Sequence, residues 1–311
     1  MKVLLIPLDF HRQELFGFMV ESFKRQSDPA LYIDIEQAIS FQPDLVFFQG
    51  SLPLKDVALI QEKTNAVWTQ WTGDSRYAVP ETLMKYKDVM DFTFVPFNGA
   101  QLDIYTKFLG HPCFYIFEPF HDSRFISPLH MNAGPITFVG NYYDHMPGGK
   151  DRTDVILHLA QANIDVRSYG NSPLGIANHH GELPIEELPL TYNRSFAVIA
   201  MNNWRDVPGY FTPRNLNAMS AGSCHLAQTF EGIEDTPWIN YENCVFWRHK
   251  FELLDVVNFL VAHPEVRHRI ADAGHALAVK HYTHDAWVTE YLGIVTGCTY
   301  STRKWRINNL P

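Results

Sequence analysis

The chain has 311 residues, of which 46% are apolar and 19% charged, so it can bury a large core and is long enough for two domains. Its 25 basic and 34 acidic residues give a formal charge of −9, which disfavours binding to nucleic acid by charge alone. The apolar runs are only a few residues long, well short of the roughly 20 that a membrane-spanning helix needs.

The first half of the chain alternates short apolar runs with longer amphipathic stretches, a pattern typical of βαβ units and a parallel sheet. The short run at 2–7 is followed at once by charged residues, which predicts a first strand rather than a signal peptide. Strands are predicted at 2–7, 45–48, 66–71, 92–96 and 113–116, and helices at 13–25, 54–63, 81–87 and 98–109. Together they predict a Rossmann-like domain over residues 1–126.

The second half repeats this alternation after a stretch rich in Pro, Gly and Asn, which predicts a linker at 127–134. Strands are predicted at 135–139, 165–169, 196–201 and 223–228, and helices at 153–163, 215–221, 250–262 and 264–281. We therefore expect a second Rossmann-like domain over 135–284 and a tail, 285–311, that packs back on the first domain. The predicted fold class is α/β, with the two domains facing across a cleft and the ligand at the carboxyl ends of the strands.

No C-x-x-C or H-E-x-x-H spacing occurs in the sequence, which argues against structural zinc and hydrolytic metal sites. The four cysteines are far apart and fit reduced thiols in the cytoplasm: Cys113, Cys224, Cys244 and Cys298. We expect a metal-independent cytoplasmic protein.

Two predicted strands end in turns that suit a ligand. Gly140 and Asn141 follow the strand at 135–139, and a helix begins soon after them. Glycine allows close approach of a ligand to the backbone, and the amides at a helix start bind anions, although an ordinary βα turn would have the same sequence. Tyr169 and Gly170 end the next strand, where Tyr169 is predicted either to stack on a nucleobase or to lie in the core.

The segment from Gly209 to Ser223 carries the most informative pattern. Thr212 is predicted to cap a helix with Pro213 in its first turn. Arg214 in that turn opposes the helix dipole unless an anion is nearby, which favours binding of a diphosphate. Asn217 and Ser220 follow in the same helix, with Asn217 on the face of Arg214.

Several motifs of the second half resemble the CgeB-like (spore maturation protein) branch of the GT-B glycosyltransferases. They are Phe138–Asn141, Tyr169–Gly170, Arg214–Gly222, Ala262–Arg267, Ala273–Gly274 and His281–Thr283. The resemblance implies a hexosyl- or pentosyltransferase that needs no cofactor and uses a nucleotide-diphosphate sugar, most often a UDP-sugar, as its substrate. It implies that the donor is bound by Gly140, Asn141, Tyr169, Gly170, Thr212, Arg214, Asn217 and Ser220.

The chain departs from this family at two positions. Asn217 stands where the family typically carries glutamate, and Gly209 stands where many retaining relatives carry a second one. Asparagine can hydrogen-bond a sugar hydroxyl but cannot carry charge. A catalytically inactive nucleotide-sugar binding protein is therefore an alternative to the enzyme.

An inverting enzyme needs a base on the acceptor side. Asp74, at a predicted strand end, and His11, in the loop after the first strand, are the first candidates, followed by Asp9 and His121. The acceptor is left open among a glycan, a protein, a small molecule and a hydroxymethylated DNA base, the last being the phage-type alternative. A sugar epimerase on the same fold is a weaker option.

Overall fold

The computed structural model describes residues 1–7, 13–73, 77–120, 126–130, 134–142, 146, 148–171 and 178–297. The chain forms two compact units. The first contains Met1–Glu118, Val207–Gly209 and the residues from His284 on, and the second contains Pro119–Asp206 and Tyr210–Thr283.

The first unit is built on a parallel sheet in the order β2-β1-β3-β4-β5-β6. Its strands are β1 (Lys2–Ile6), β2 (Asp28–Leu31), β3 (Leu45–Phe48), β4 (Val67–Trp71), β5 (Phe92–Val95) and β6 (Cys113–Tyr115). All four residues of β3 are buried, because both faces of this central strand are covered. Such continuous apolar runs are what a parallel sheet with two covered faces requires.

Five helices connect these strands: α1 (Gln13–Gln26), α2 (Ile35–Phe41), α3 (Leu54–Lys63), α4 (Glu81–Met84) and α5 (Gly99–Leu109). A short 3-10 helix covers Lys87–Val89. Helix α5 begins after Asn98 and ends at Gly110, which has a φ of +77°. Both helix boundaries agree with the sequence prediction.

The second unit has a parallel sheet in the order β11-β10-β9-β7-β8. Its strands are β7 (Ile136–Val139), β8 (Val166–Tyr169), β9 (Ala197–Ala200), β10 (His225–Gln228) and β11 (Val245–Trp247). Residues 178–181 extend this sheet beyond β8, through hydrogen bonds from Ser168 N to Asn178 O and from Gly170 N to Gly181 O. Strand order reverses between β7 and β9, which are neighbours in the sheet.

The helices of the second unit are α6 (Gly149–Gln161), α7 (Leu188–Asn193), α8 (Pro213–Ser220), α9 (Lys250–Ala262) and α10 (Pro264–His281), with a 3-10 turn at Ile233–Asp235. One core cluster joins the sheet to α6, α9 and α10, and it includes Phe138, Ile156, Trp247, Leu253 and Ile270. The described part of the predicted linker lies on this unit. Asn193 Nδ2 donates to Ser127 O, and the amide of Ile126, just before the linker, donates to Ser220 O.

The chain then returns to the first unit as α11 (His284–Val295). Trp287 is fully buried, with its ring 5.6 Å from Phe47 and 5.4 Å from Trp71. Tyr291 is also fully buried, and its hydroxyl hydrogen-bonds Thr69 Oγ1. Helix α11 therefore completes the hydrophobic core of the first unit.

Both sheets are parallel and alternate with helices, which confirms the predicted α/β class. Strand β2 was not predicted, because an edge strand with four exposed or half-buried residues has no apolar run. Helices α2 and α7 and strand β11 were also missed, and α6 begins at Gly149 rather than at residue 153. Within the described residues, no helix is long and apolar enough to cross a bilayer.

Candidate functional site

The reversal of strand order between β7 and β9 marks the expected ligand site of the second unit. Ligands of open α/β sheets bind beyond the carboxyl ends of the strands at such a switch point. Here β7 is followed by Gly140 and Asn141, and β9 is followed by Met201 and Asn202. The segments that follow these two strands therefore define the candidate site.

Glycines bring the backbone segments at this edge into direct contact. A Cβ atom on Gly170 would overlap the carbonyl group of Gly140. A Cβ atom on Gly148, which caps α6, would lie 2.7 Å from the carbonyl oxygen of Asn202. Since no side chain fits at either position without displacing backbone, glycine is required for this close packing.

Two side chains tie the segments together. Asn141 Oδ1 accepts from the amide of Asn171, 3.1 Å away, and so joins the turns after β7 and β8. The Arg152 guanidinium, on α6, donates to the carbonyl of Asn141 and, over 3.2 Å, to that of Met201. Arg152 is only 1% exposed, so its positive charge is buried directly beneath the switch point.

The start of α8 differs from the prediction for Thr212. Thr212 is the N-cap residue, but its hydroxyl makes no capping bond, and its Oγ1 is buried without a partner in the described part of the chain. Its amide donates instead to Asn202 Oδ1, 3.1 Å away. Asn202 thus holds the N-cap residue of α8 close to the end of β9.

Arg214 lies beside Gly140. Its Nε is 3.4 Å from the position of a Cβ atom on Gly140, so the side chain reaches the turn after β7. This Nε is buried and has no hydrogen-bond partner among the described residues. A buried unpaired donor costs about 1 to 3 kcal/mol. The absence of a described acceptor beside a helix start favours an anionic ligand here.

A network of buried, hydrogen-bonded side chains lies behind this edge of the sheet. Asn215 Nδ2 donates to Asn202 Oδ1 over 3.1 Å, and Asn215 Oδ1 lies 3.0 Å from His225 Nε2. Burial of the imidazole lowers the pKa of His225 to about 3, so its ring is neutral near pH 7. The neutral ring donates through Nε2 to the Asn215 oxygen.

The remaining predicted donor residues lie at three different places. Tyr169 stacks on His180 with ring centroids 5.2 Å apart, at the end of β8. Asn217 is buried within α8, and its carbonyl accepts from the hydroxyl of Ser220 over 3.1 Å. Ser220 is fully buried in the last turn of α8, so its hydroxyl is used within the helix and is not brought together with Gly140 and Arg214.

Gly209, noted from the sequence as a departure from many retaining members of the resembled family, belongs to the first unit. Its φ of +71° lies in the left-handed region, and its carbonyl accepts from the Tyr115 hydroxyl over 3.4 Å. An added Cβ atom would make only ordinary contacts there, but a residue with a side chain would strain the backbone. The position is therefore adapted to glycine.

The predicted bases Asp74 and His11 lie outside the described residues, as do Asp9 and His121. Among the residues that the structure describes, no group of three His, Cys, Asp or Glu side chains could hold a metal ion.

No site role was predicted from the sequence for Arg152, Gly148 or Asn202, although a helix start was placed near Gly148 and Arg152. Arg152 follows a Gly-Gly pair in a helical stretch, and Asn202 directly follows a buried apolar strand. Both signals are visible in the sequence. Their significance depends on β7 and β9 being neighbours, which chain order alone does not give.

Most of the second unit and of helix α11 matches a known family. The family model described as "Glycosyl transferase-like" matches residues 125–293, more than half of the chain. No curated protein matches the chain in sequence.

Solved structures of similar fold cover nearly the whole chain. HepE from Anabaena, in complex with UDP and glucose, is 12% identical with a TM-score of 0.64, over 96% of this chain and 100% of its own. Sucrose-phosphate synthase from Thermosynechococcus elongatus is 12% identical with a TM-score of 0.62, over 96% and 98%. An α-glucosyltransferase, in complex with UDP and a 13-mer DNA, is 10% identical with a TM-score of 0.68, over 95% and 99%.

Proposed function

This chain belongs to the glycosyl transferase-like family and has the GT-B fold of two Rossmann-like units, and we propose that its donor is a UDP-sugar bound at the switch point of the second unit. The transferred sugar would pass to an acceptor hydroxyl. Two structural neighbours, HepE and the α-glucosyltransferase, are complexes with UDP, which supports this choice of nucleotide.

One observation carries the proposal: the Arg214 Nε is buried and has no described partner beside Gly140 and the start of α8. A diphosphate supplies the missing acceptor, since its oxygens accept hydrogen bonds and carry negative charge. The buried guanidinium of Arg152 and the amino ends of α6 and α8 add positive potential at the same edge.

These groups would promote transfer by stabilising the leaving group. The bond between the sugar C1 and the β-phosphate oxygen breaks, and its electron pair goes to UDP, whose added charge Arg214 and the helix amides offset. The acceptor oxygen forms the new bond to C1 and loses its proton to a base. We assign that base to Asp74 or His11. Asn217 would contact the ribose or sugar without carrying charge.

We further propose that the chain is a CgeB-like member of the GT-B enzymes. The motifs Phe138–Asn141 and Arg214–Gly222 support this placement. We place the activity in the cytoplasm, where the free thiols of Cys113, Cys224 and Cys244 would stay reduced.

Thermal unfolding with added nucleotides tests the donor site. A ligand at 100 times its Kd stabilises the folded state by about 2.7 kcal/mol, so UDP and UDP-sugars should raise the Tm by several degrees. Arg214→Ala should abolish this shift. The matched control is Arg167→Ala, because Arg167 is an exposed arginine of β8 in the same unit. A UDP shift that survives Arg214→Ala would disprove the assigned diphosphate site.

Transfer to a hydroxymethylated base in DNA is a second candidate. It is favoured by the fold similarity to the α-glucosyltransferase whose structure contains DNA, and it is opposed by the charge of −9. A DNA acceptor requires that activity on duplex DNA fall steeply with added salt. Activity on glycans or small molecules that is insensitive to salt and to DNA would eliminate this candidate.

A nucleotide-sugar binding protein without transferase activity is a third candidate, favoured by Asn217 and by the left-handed backbone at Gly209. Calorimetric binding of a UDP-sugar with no turnover over a panel of acceptors would support it. Release of UDP that depends on an added acceptor would rule it out.

A further inference from the structure

Asn202 is almost completely buried, with 1% of its surface exposed, and its side-chain oxygen carries two hydrogen bonds. It accepts from the amide of Thr212 and from Asn215 Nδ2, each over 3.1 Å. Two donors converge on this one atom, so it must be the carbonyl oxygen of the amide. The orientation of the Asn202 side chain is therefore fixed.

The side-chain orientation of the next two residues in this hydrogen-bond network, Asn215 and His225, is fixed by the same reasoning. Asn215 Nδ2 also donates to the carbonyl of Thr212 over 3.1 Å, which leaves Asn215 Oδ1 to accept from His225 Nε2. His225 is 1% exposed and neutral, and it carries its proton on Nε2. Each donor in this chain faces an acceptor, and reversing either amide would place donors against donors.

What this network leaves over is the amide nitrogen of Asn202. Its two N–H groups are buried and have no partner among the described residues. They lie at the start of α8, since the oxygen of the same amide is bonded to Thr212. The hydroxyl of Thr212 is also buried and without a described partner.

The unused groups of Asn202, Thr212 and Arg214 are two donor nitrogens and a hydroxyl that can donate, and they lie just after β9 and at the start of α8. Phosphate oxygens accept hydrogen bonds and do not donate them at neutral pH. The donors left over on Asn202 and Arg214 are therefore complementary to a phosphate group, whereas Asn203 Oδ1, which is also buried and without a described partner, is an acceptor that a sugar hydroxyl would fit.

We propose that Asn202 Nδ2 donates to the diphosphate of the nucleotide-sugar donor, and that Asn215 and His225 are positioning residues that hold its amide in the donating orientation. This inference rests on the proposed function of the same site. It assigns diphosphate recognition to a neutral side chain on the β9 side of the switch point, in addition to Arg214 on α8.

Asn202→Asp separates the two roles of this side chain, which are to accept hydrogen bonds from Thr212 and Asn215 and to donate to the diphosphate. Aspartate keeps an acceptor for Thr212 and Asn215, so the fold should be retained, but its buried charge should lower the Tm without ligand. It removes the N–H donors and adds negative charge, so the Kd for UDP should rise by about 100-fold. Uridine, which lacks phosphate, is the matched probe, and its Kd should not change.

His225 is tested through a conservative and a disruptive variant. His225→Leu removes the donor to Asn215 and should weaken UDP binding by about tenfold, whereas His225→Gln can still donate and should restore most of the affinity. Uridine binding should be the same in both variants.

Calorimetry on the full chain distinguishes the outcomes. If Asn202→Asp binds UDP like the wild type, or loses UDP and uridine equally, the inference is wrong. If the wild type binds UDP and only Arg214→Ala abolishes binding, the proposed function stands without this inference. If the wild type does not bind UDP, the proposed function itself fails. Should Asn202→Asp not fold, Asn202→Ser replaces it: serine can still accept from Thr212 and adds no charge, so the Kd for UDP should rise by about tenfold and that for uridine should not change.

Discussion

Gly170 lies against the carbonyl group of Gly140, so closely that a Cβ atom on Gly170 would overlap it. The φ of Gly170 is +152°, a conformation that residues with a side chain rarely adopt. The amide of Gly140 donates to the carbonyl of Tyr169 over 2.9 Å, so the two turns are joined on both sides. The position of Gly140 beside Arg214 thus depends on the missing side chain at Gly170.

Replacement of Gly170 by alanine should therefore damage both stability and the donor site. We expect Gly170→Ala to lower the free energy of unfolding by about 2 to 4 kcal/mol, from backbone strain and overpacking together. Urea unfolding measures this loss, and calorimetry should show weaker UDP binding because Gly140 is displaced.

Gly181→Ala is the matched control for this variant. Gly181 also has a positive φ, of +73°, but an added Cβ atom would meet no atom within 4 Å. Gly181→Ala should lower the free energy of unfolding by about 1 kcal/mol, from the left-handed backbone alone. Equal losses in the two variants would show that the contact with Gly140 contributes nothing.

The buried imidazole of His225 should make the second unit sensitive to acid. Its pKa is about 3 in the folded protein, against an ordinary value of 6.5. Below pH 6.5 the unfolded chain binds a proton that the folded chain does not, so stability is full above 6.5 and falls as the pH drops toward 3. We expect a loss of about 2 kcal/mol between pH 6.5 and 5 from this group.

Urea unfolding of the wild type and of His225→Gln across that pH range isolates this contribution. Burial also lowers the pKa of His111 in the first unit, so acid destabilises the wild type through two groups. His225→Gln should retain the loss of stability at acid pH that is due to His111 and should lack the larger loss that is due to His225. An identical pH slope in both proteins would mean that His225 is not buried as a neutral ring.

The order of strands and helices could be read from the sequence where apolar runs were continuous. Strand β3, with four buried residues, and helix α5, with Asn98 and Gly110 at its ends, were both predicted within a residue. Strand β2 was missed because half-buried edge residues give no such run. Hydrophobic periodicity reports burial, so elements that bury little are invisible to it.

The candidate site was predicted only in part, for a different reason. Gly140 and Arg214 carry local signals, a strand end and a charge in a first helical turn, and the structure brings them together. Thr212 was expected to cap α8 with its hydroxyl, but that hydroxyl makes no capping bond, and the Thr212 amide donates to Asn202 Oδ1. The contact between Asn202 and Thr212 depends on how the segment between β9 and α8 folds, which local patterns do not contain.

Helix α11 should stabilise the first unit strongly through Trp287. This side chain is fully buried, and its ring lies 5.6 Å from Phe47 and 5.2 Å from Tyr291. Trp287→Ala should lower the free energy of unfolding by about 3 to 5 kcal/mol. The matched control is Phe108→Ala, because Phe108 is 58% exposed and its loss should cost less than about 0.5 kcal/mol. Similar values in chemical denaturation would contradict the packing of α11.

The acceptor base is assigned by comparing Asp74→Asn with His11→Gln. Each substitution keeps the approximate size of the side chain and removes its ability to take a proton at neutral pH. The variant that lacks the base should lose transfer by about 10²- to 10⁴-fold, while its Kd for UDP stays unchanged. Because the base must be deprotonated to act, the wild-type transfer rate should fall at acid pH. This decrease should be absent from the pH profile of the impaired variant. Asp103→Asn, which changes an exposed carboxylate on α5, is the control and should transfer normally. If all three variants transfer at the wild-type rate, the proton goes to another group, and neither Asp74 nor His11 is the base.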